Sequence, residues 1–167
     1  MTGSKTDESG TQTPKGLHVA DSRRLFLLAG AILGFVGVVL GAWGAHGMPD
    51  VLAEIYGNRM VKVGGSEMAA SAKYRGDFLT GVRYQMTHAV VLVAMAGLPR
   101  TLRYLFPAAI CFIAGSVFFS GSLYALVLTA TPWLGAITPI GGLLLLVGWG
   151  CLAAAAITTP RHEHLND

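Results

Sequence analysis

No Asp, Glu, Lys or Arg occurs between Tyr104 and Pro160, where the sequence reads YLFPAAICFIAGSVFFSGSLYALVLTATPWLGAITPIGGLLLLVGWGCLAAAAITTP. A helix needs about 20 apolar residues to cross a bilayer core of about 30 Å. The stretch is therefore long enough for two transmembrane helices. We expect them at 105–130 and 133–157, with Thr131 and Pro132 at the break between them.

Two shorter uncharged stretches precede it, from Leu25 to Pro49 and from Tyr84 to Pro99. Each has room for one span, and we expect helices at 25–45 and 78–98, the second with Arg83 near its interfacial end. The sequence therefore predicts an all-α integral membrane protein, a four-helix bundle at 25–157.

Composition supports the membrane assignment. The chain of 167 residues is 53% hydrophobic and only 13% charged, whereas soluble domains carry about 25% charged residues. The net charge of +3 does not require nucleic acid, because the basic residues flank apolar spans and would orient them. Cys111 and Cys151 fall inside predicted spans, where cysteine behaves as a small apolar residue, so neither a disulfide nor a zinc site is indicated.

The remaining segments are polar. Residues 1–24 are expected to be a disordered cytoplasmic tail, residues 158–167 a short cytoplasmic tail, and residues 48–77 a polar outer loop. Short interfacial helices are expected at 51–56 and 67–74, separated by Gly64 and Gly65. Arg23 and Arg24 before an apolar run have the form of a twin-arginine export signal, but the run is near full span length, which favours a positively charged flank.

Orientation follows from the basic residues. With four spans, the two termini and the connection between the second and third helices share one side of the membrane. That side has the larger share of Lys and Arg, so both termini are expected to be cytoplasmic. It carries Lys5, Lys15, Arg23, Arg24, Arg100, Arg103 and Arg161, against Arg59, Lys62, Lys73, Arg75 and Arg83 on the other.

Four short segments occur together in a specific order: GFVGVVLGAWGAHG at 34–47, YQMTHA at 84–89, FSGSLY at 119–124 and WLGAITPIGG at 133–142. This set resembles the family called domain of unknown function 423, which includes the transmembrane protein 256-like proteins. The resemblance covers 25–157 and implies a small four-span protein, of the inner membrane in bacteria, without a settled molecular function. The chain departs from the family in its longer 48–77 loop and in Phe78, where members often carry Trp.

Glycines recur along the first helix at spacings of four and three residues, which places them on one helical face. In lipid such a face lets another backbone approach closely. Packing inside the bundle is one interpretation; a homo-oligomer interface or a slot for a flat ligand such as a quinone is the other. This helix-packing face consists of Gly30, Gly34, Gly37, Gly41 and Gly44.

Polar side chains concentrate in the outer half of the predicted bundle. An unpaired polar group in hydrocarbon costs several kcal/mol, so we expect them to face one another. They would form either a structural hydrogen-bond clasp or a functional cavity. This candidate polar cluster consists of His46, Gln85, His88, Ser120, Ser122, Tyr124 and Thr138.

The two histidines of the cluster should lie at different depths. His46 ends the first helix at the outer surface, and His88 lies about ten residues further in, a height difference of about 15 Å. We therefore expect them not to share a metal. His88 is expected to bond to Ser120, Ser122 or Tyr124, and His46 to cap the first helix beside Tyr84, Gln85 or Thr138.

No sequence pattern indicates an enzyme. Paired carboxylates, a phosphate loop and a Ser-His-Asp arrangement are missing, the predicted spans contain no acidic residue, and the pair His162 and His164 is best explained as part of a solvated tail. No catalytic residue, metal or cofactor is expected. The favoured hypothesis is a non-enzymatic inner-membrane protein acting by helix packing or by association with a second copy or another membrane protein. The alternative is binding of a small ligand or redox cofactor, of quinone or haem type, in the polar outer half.

Overall fold

A computed structural model describes residues 17–98 and 103–158, with side chains from Ser22 onward. Helices dominate it, and four of them are long. In chain order the elements are α1 (Leu17–His46), α2 (Met48–Tyr56), β1 (Met60–Val63), β2 (Ser66–Ala69), α3 (Ala70–Met95), α4 (Leu105–Thr129), a 3-10 helix (Pro132–Ala136) and α5 (Thr138–Thr158).

Three helical segments in the described part of the chain are long and apolar enough to cross a membrane: Ser22–His46, Leu105–Thr129 and Pro132–Thr158. α3 is not among them, because its apolar part is interrupted by Arg83, Gln85 and His88. Three of the four expected apolar spans are therefore present among the described residues, and α3 is the exception.

The long helices pack mainly in chain order: α1 on α3, α3 on α4, and α4 on α5. α1 reaches α4 over a narrow contact, where the rings of Phe26 and Phe106 lie 6.3 Å apart. The polar helix α3 is thus covered by an apolar helix on each of two sides. Two buried apolar clusters hold the long helices together, one around Phe112 and one around Phe78 at the end next to α2.

The start of α1 differs from expectation. The helix begins at Leu17, inside the segment 1–24 expected to be a disordered tail. No Gly or Pro stands between Leu17 and Ala29 to terminate it, so the helix continues beyond the apolar run. Residues 1–16, 99–102 and 159–167, with Arg100, His162 and His164 and most of the expected tails, lie outside the described residues.

The segment 48–77, expected to be a polar outer loop, contains a β-hairpin that was not expected from the sequence, which corrects both the expected helix at 67–74 and the all-α class. β1 and β2 pair antiparallel with Val63 opposite Ser66. The turn residues Gly64 and Gly65 have φ of +57° and +89°, the positive values that favour a two-residue Gly-Gly hairpin turn. The β-branched Val61 and Val63 before it favour a strand.

Two helix starts are also corrected. α3 begins at Ala70 rather than 78, because the polar segment between them continues the helix outside the apolar region, with Lys73 and Asp77 in an ion pair of 2.6 Å one turn apart. The helix expected at 133–157 is divided into the 3-10 helix and α5. Pro139 stands in the first turn of α5, where its missing N–H costs little.

Candidate functional site

Gln85 is the centre of the polar contacts between the long helices. It lies on α3 and is only 4% exposed. Its Nε2 donates to the carbonyl oxygen of Leu33 on α1 at 2.8 Å, and its Oε1 accepts from the hydroxyl of Tyr124 on α4 at 3.0 Å. A primary amide both donates and accepts, so this one side chain links three helices.

Two serines of α4 extend these contacts. Ser120 Oγ donates to the carbonyl oxygen of Gly81 on α3 at 2.7 Å. Ser122 Oγ lies 2.8 Å from Thr138 Oγ1 at the start of α5, and it also donates to the carbonyl oxygen of Phe119. These bonds involve five of the seven residues of the candidate polar cluster, in two groups: Gln85, Ser120 and Tyr124 between α3 and α4, and Ser122 and Thr138 between α4 and α5.

His46 lies apart from both groups. It is the exposed last residue of α1, and Gln85 and Thr138, two of its expected neighbours, are bonded elsewhere. The cap expected from His46 is instead made by Arg75, whose Nε donates to the carbonyl oxygen of Gly44 at 3.4 Å. A cation at a helix C-terminus also interacts favourably with the helix dipole.

His88 is buried, with 4% of its surface exposed. The expectation that it bonds to Ser120, Ser122 or Tyr124 is wrong. Its Nδ1 lies 2.7 Å from the carbonyl oxygen of Tyr84, and its Nε2 accepts from the indole N–H of Trp149 on α5 at 3.2 Å. Depth accounts for the difference. The ring of Phe112 lies beside His88, at 5.3 Å between ring centroids. Ser120 is about 12 Å further along α4 than Phe112.

These two contacts fix the state of the imidazole. A carbonyl oxygen only accepts, so Nδ1 carries the hydrogen. An indole N–H only donates, so Nε2 presents its lone pair. His88 is therefore a neutral imidazole whose Nε2 is a hydrogen-bond acceptor in the interior of the helix layer.

A groove of about 570 Å³ runs between α3 and α5 beside this pair. Its floor is Phe119 of α4, whose ring stacks on Tyr84 at 4.4 Å. We call it the α3–α5 groove. Its walls are lined by Tyr84, His88, Pro139, Gly142, Leu143, Leu145, Leu146 and Trp149.

The glycines of α1 all lie towards α3. A Cβ added at Gly30 would approach the carbonyl oxygen of Ala89 to 2.8 Å, whereas at Gly34 it would lie 3.8 Å from the Ala89 Cβ. Gly37 lies next to Met86 of α3, Gly41 next to Val82, and Gly44 next to Phe78. A shallow cavity of about 260 Å³ opens on this seam between Gly30 and Val93.

Arg83 on α3 forms no ion pair with any residue that the structure describes. It is exposed, and Asp77 is paired with Lys73. The next acidic residue after Asp77 along the chain is Glu163. Within residues 17–98 and 103–158, no group of three or more His, Cys, Asp or Glu side chains is placed to hold a metal ion.

Comparisons with known proteins agree with the membrane character of this chain. The family described as Protein of unknown function (DUF423) matches residues 40–142. The UPF0382 membrane protein YwdK of Bacillus subtilis is 35% identical over 137 residues, 80% of this chain and 97% of that protein. The UPF0382 inner membrane protein YgdD of Escherichia coli K12 is 34% identical over 83% of this chain and 93% of its own length. No solved structure matches significantly.

Proposed function

The chain belongs to the DUF423 family of membrane proteins, and on that premise we propose that it acts by lateral association with another membrane protein rather than as an enzyme. The proposed topology has four spans, α1, α3, α4 and α5, with both termini cytoplasmic. The bias of Lys and Arg supports the orientation. The position of α3 between α1 and α4 supports its inclusion as a span.

One observation carries the proposal: the exposed Arg83 on a helix whose other two sides are covered. Val82 packs beside Gly41 of α1, five residues before the end of that helix, so Arg83, one residue further along α3, lies about 9 Å below the level of His46. Thr87, one turn deeper on the same face, is also exposed. We call this side of α3, with Thr80, Arg83, Thr87 and Val90, the open face.

Chemistry limits what covers the open face. Thr80 and Thr87 donate to carbonyl oxygens of their own helix, so their hydroxyls need no further partner. An anion would stabilise Arg83, because a charged side chain inside the bilayer is costly unless it is paired or reaches the interface. A second copy of this chain would bring another Arg83 and no acid at the same depth, because its apolar stretches contain no Asp or Glu. The partner is therefore a membrane helix with an Asp or Glu at the matching depth.

The test uses the full-length chain extracted from native membranes in lipid-containing polymer particles. A photo-reactive side chain at Thr87, on the open face, should cross-link to one membrane protein that carries an intramembrane acid. The same group at Phe35, exposed on α1, should not cross-link to it. Arg83→Gln should abolish the cross-link, whereas Arg59→Gln, in the outer loop, should leave it unchanged.

Two results would overturn the association proposal. One is a Thr87 cross-link to lipid alone, with anionic phospholipid enriched around the wild type and lost in Arg83→Gln, because Arg83 would then serve a lipid phosphate. The other is an unchanged protein cross-link in Arg83→Gln.

A further inference from the structure

The α3–α5 groove brings an acceptor nitrogen to the interior of the membrane. Ala89 packs against Gly34 of α1, twelve residues before the end of that helix, so His88, one residue earlier on α3, lies about 17 Å below the level of His46. At that depth there is no bulk water to satisfy Nε2, and a donor must come from protein or from a molecule dissolved in the bilayer.

Trp149 supplies that donor in the structure, but weakly. Its N–H reaches Nε2 at 3.2 Å, at the long end of the usual range for such bonds. The side chain is 44% exposed on the wall of the groove. Rotation of the indole would leave the Nε2 lone pair directed into a cavity of about 570 Å³, within the size range of small-molecule sites.

The lining of the groove indicates the rest of the ligand. Tyr84, Phe119 and Trp149 offer aromatic surfaces, and Tyr84 already stacks on Phe119. Aromatic side chains favour stacked or edge contacts with another flat ring. Leu143 and Leu146, exposed along the outer wall, continue the groove as an aliphatic surface suited to a chain that follows the bilayer.

We propose that the α3–α5 groove binds an amphiphile of the bilayer that has a hydroxyl group on a flat ring and an apolar tail, the chemistry of a hydroquinone. The ligand hydroxyl replaces the indole and donates to His88 Nε2. His88 has no donor left for the groove, because its Nδ1 hydrogen is held by the Tyr84 carbonyl. A quinone carbonyl, which only accepts, therefore binds less well than the reduced form. This inference is independent of the partner proposed for the open face.

Binding is measured on the full-length chain in lipid nanodiscs with a decyl-tailed hydroquinone, its oxidised quinone and farnesol. The hydroquinone should bind about threefold more tightly than the quinone in the wild type, where its hydroxyl replaces the indole, and about tenfold more tightly in Trp149→Phe, where one hydrogen bond is gained and none is lost. His88→Phe should remove this preference. Trp149→Phe, which removes the competing donor, should strengthen hydroquinone binding, while Trp133→Phe, a matched change outside the groove, should not.

Farnesol distinguishes two sources of the same hydroxyl. If farnesol, an aliphatic alcohol, binds more weakly than the hydroquinone, the groove selects a hydroxyl on a flat ring. If the two bind equally, the requirement for a flat ring is overturned. Equal affinity for quinone and hydroquinone overturns the proposal, as does a preference that survives in His88→Phe. If His88→Phe does not fold, Trp149→Phe decides: unchanged or weakened hydroquinone binding there also overturns it.

Discussion

Tyr124 on α4 donates its hydroxyl hydrogen to Oε1 of Gln85 on α3 at 3.0 Å, and the amide nitrogen of the same Gln85 donates to Leu33 on α1. The most polar of the long helices is thereby tied to both of its neighbours through one side chain. Because Gln85 is buried, a partner that is removed is not replaced by water.

Tyr124→Phe should therefore lower the free energy of unfolding by about 1–2 kcal/mol, since the loss of an interhelical bond, worth about 0.6 kcal/mol, also leaves Gln85 Oε1 unpaired. The measurement is a titration with denaturing detergent in mixed micelles, followed by circular dichroism. Tyr104→Phe is the matched control, because no described residue bonds to that hydroxyl. Equal losses in the two variants would contradict the prediction.

Gly141 and Gly142 are adjacent, yet substitution should affect them very differently. A Cβ at Gly141 would overlap the backbone nitrogen of Phe119, which cannot move aside without separating α4 from α5, whereas at Gly142 the nearest atom of Phe119 lies 3.8 Å away. Gly141→Ala should cost about 1–3 kcal/mol, as overpacking does, and Gly142→Ala should be nearly neutral. Folded yield after detergent extraction measures both. A Gly141→Ala variant as abundant as the wild type would show that α4 and α5 do not pack this closely.

Tyr56 should make the packing of α2 sensitive to alkaline pH. Its hydroxyl donates to the carbonyl oxygen of Val127 at 3.0 Å, and burial, with Tyr74 as a second cause, raises the pKa of its phenol above the ordinary 10.0. The neutral form is thus favoured in the folded state. The stabilisation is complete below the unfolded pKa and is lost as pH rises through the folded one.

Hydrogen exchange of the α2 amides, compared between wild type and Tyr56→Phe at each pH, tests this. At pH 8 the variant should exchange faster, and the difference should close as pH rises above about 10. A difference that stays constant over this range would mean that the phenol does not titrate with the opening of α2.

Reporter fusions test the proposed topology. A reporter inserted between Gly64 and Gly65 should be external, and a reporter at Asp167 should be cytoplasmic, because the proposed four spans return the chain to its starting side. A third fusion after Leu98 should agree with Asp167. If the Gly64 and Asp167 positions report the same side, the four-span topology is wrong.

Composition predicted the helical membrane character because uncharged runs of span length are typical of transmembrane helices and rare in soluble domains. The glycine spacing in α1 placed Gly30 to Gly44 on one face, and that face does lie towards α3. Pairings across helices were harder to predict. Whether His88 meets Ser120 or Trp149 depends on the rotation of α3 and on its height relative to α4 and α5, and neither can be inferred from one helix alone.

Two other features have signals in the sequence. Gly64-Gly65 between Val63 and Ser66 is a short-range hairpin signal, although the same pair also fits a break between two helices. Arg75 stands one turn before the apolar part of α3 and so near the end of α1, where a cation is favoured. Its bond to Gly44 nevertheless depends on the antiparallel pairing of the two helices.

The polarity of α3 has a consequence for how the protein is made. The ribosome releases α1 before α3 and α4 after it. In the proposed four-span topology, α3 would enter the bilayer poorly by itself, because it contains Arg83, Gln85 and His88 and each charged or strongly polar residue disfavours insertion. The glycine face of the already inserted α1 is the first surface that can receive it. The order of synthesis therefore matches the order of packing. In a rearranged protein that carries α3 ahead of α1, α3 should insert into the membrane inefficiently.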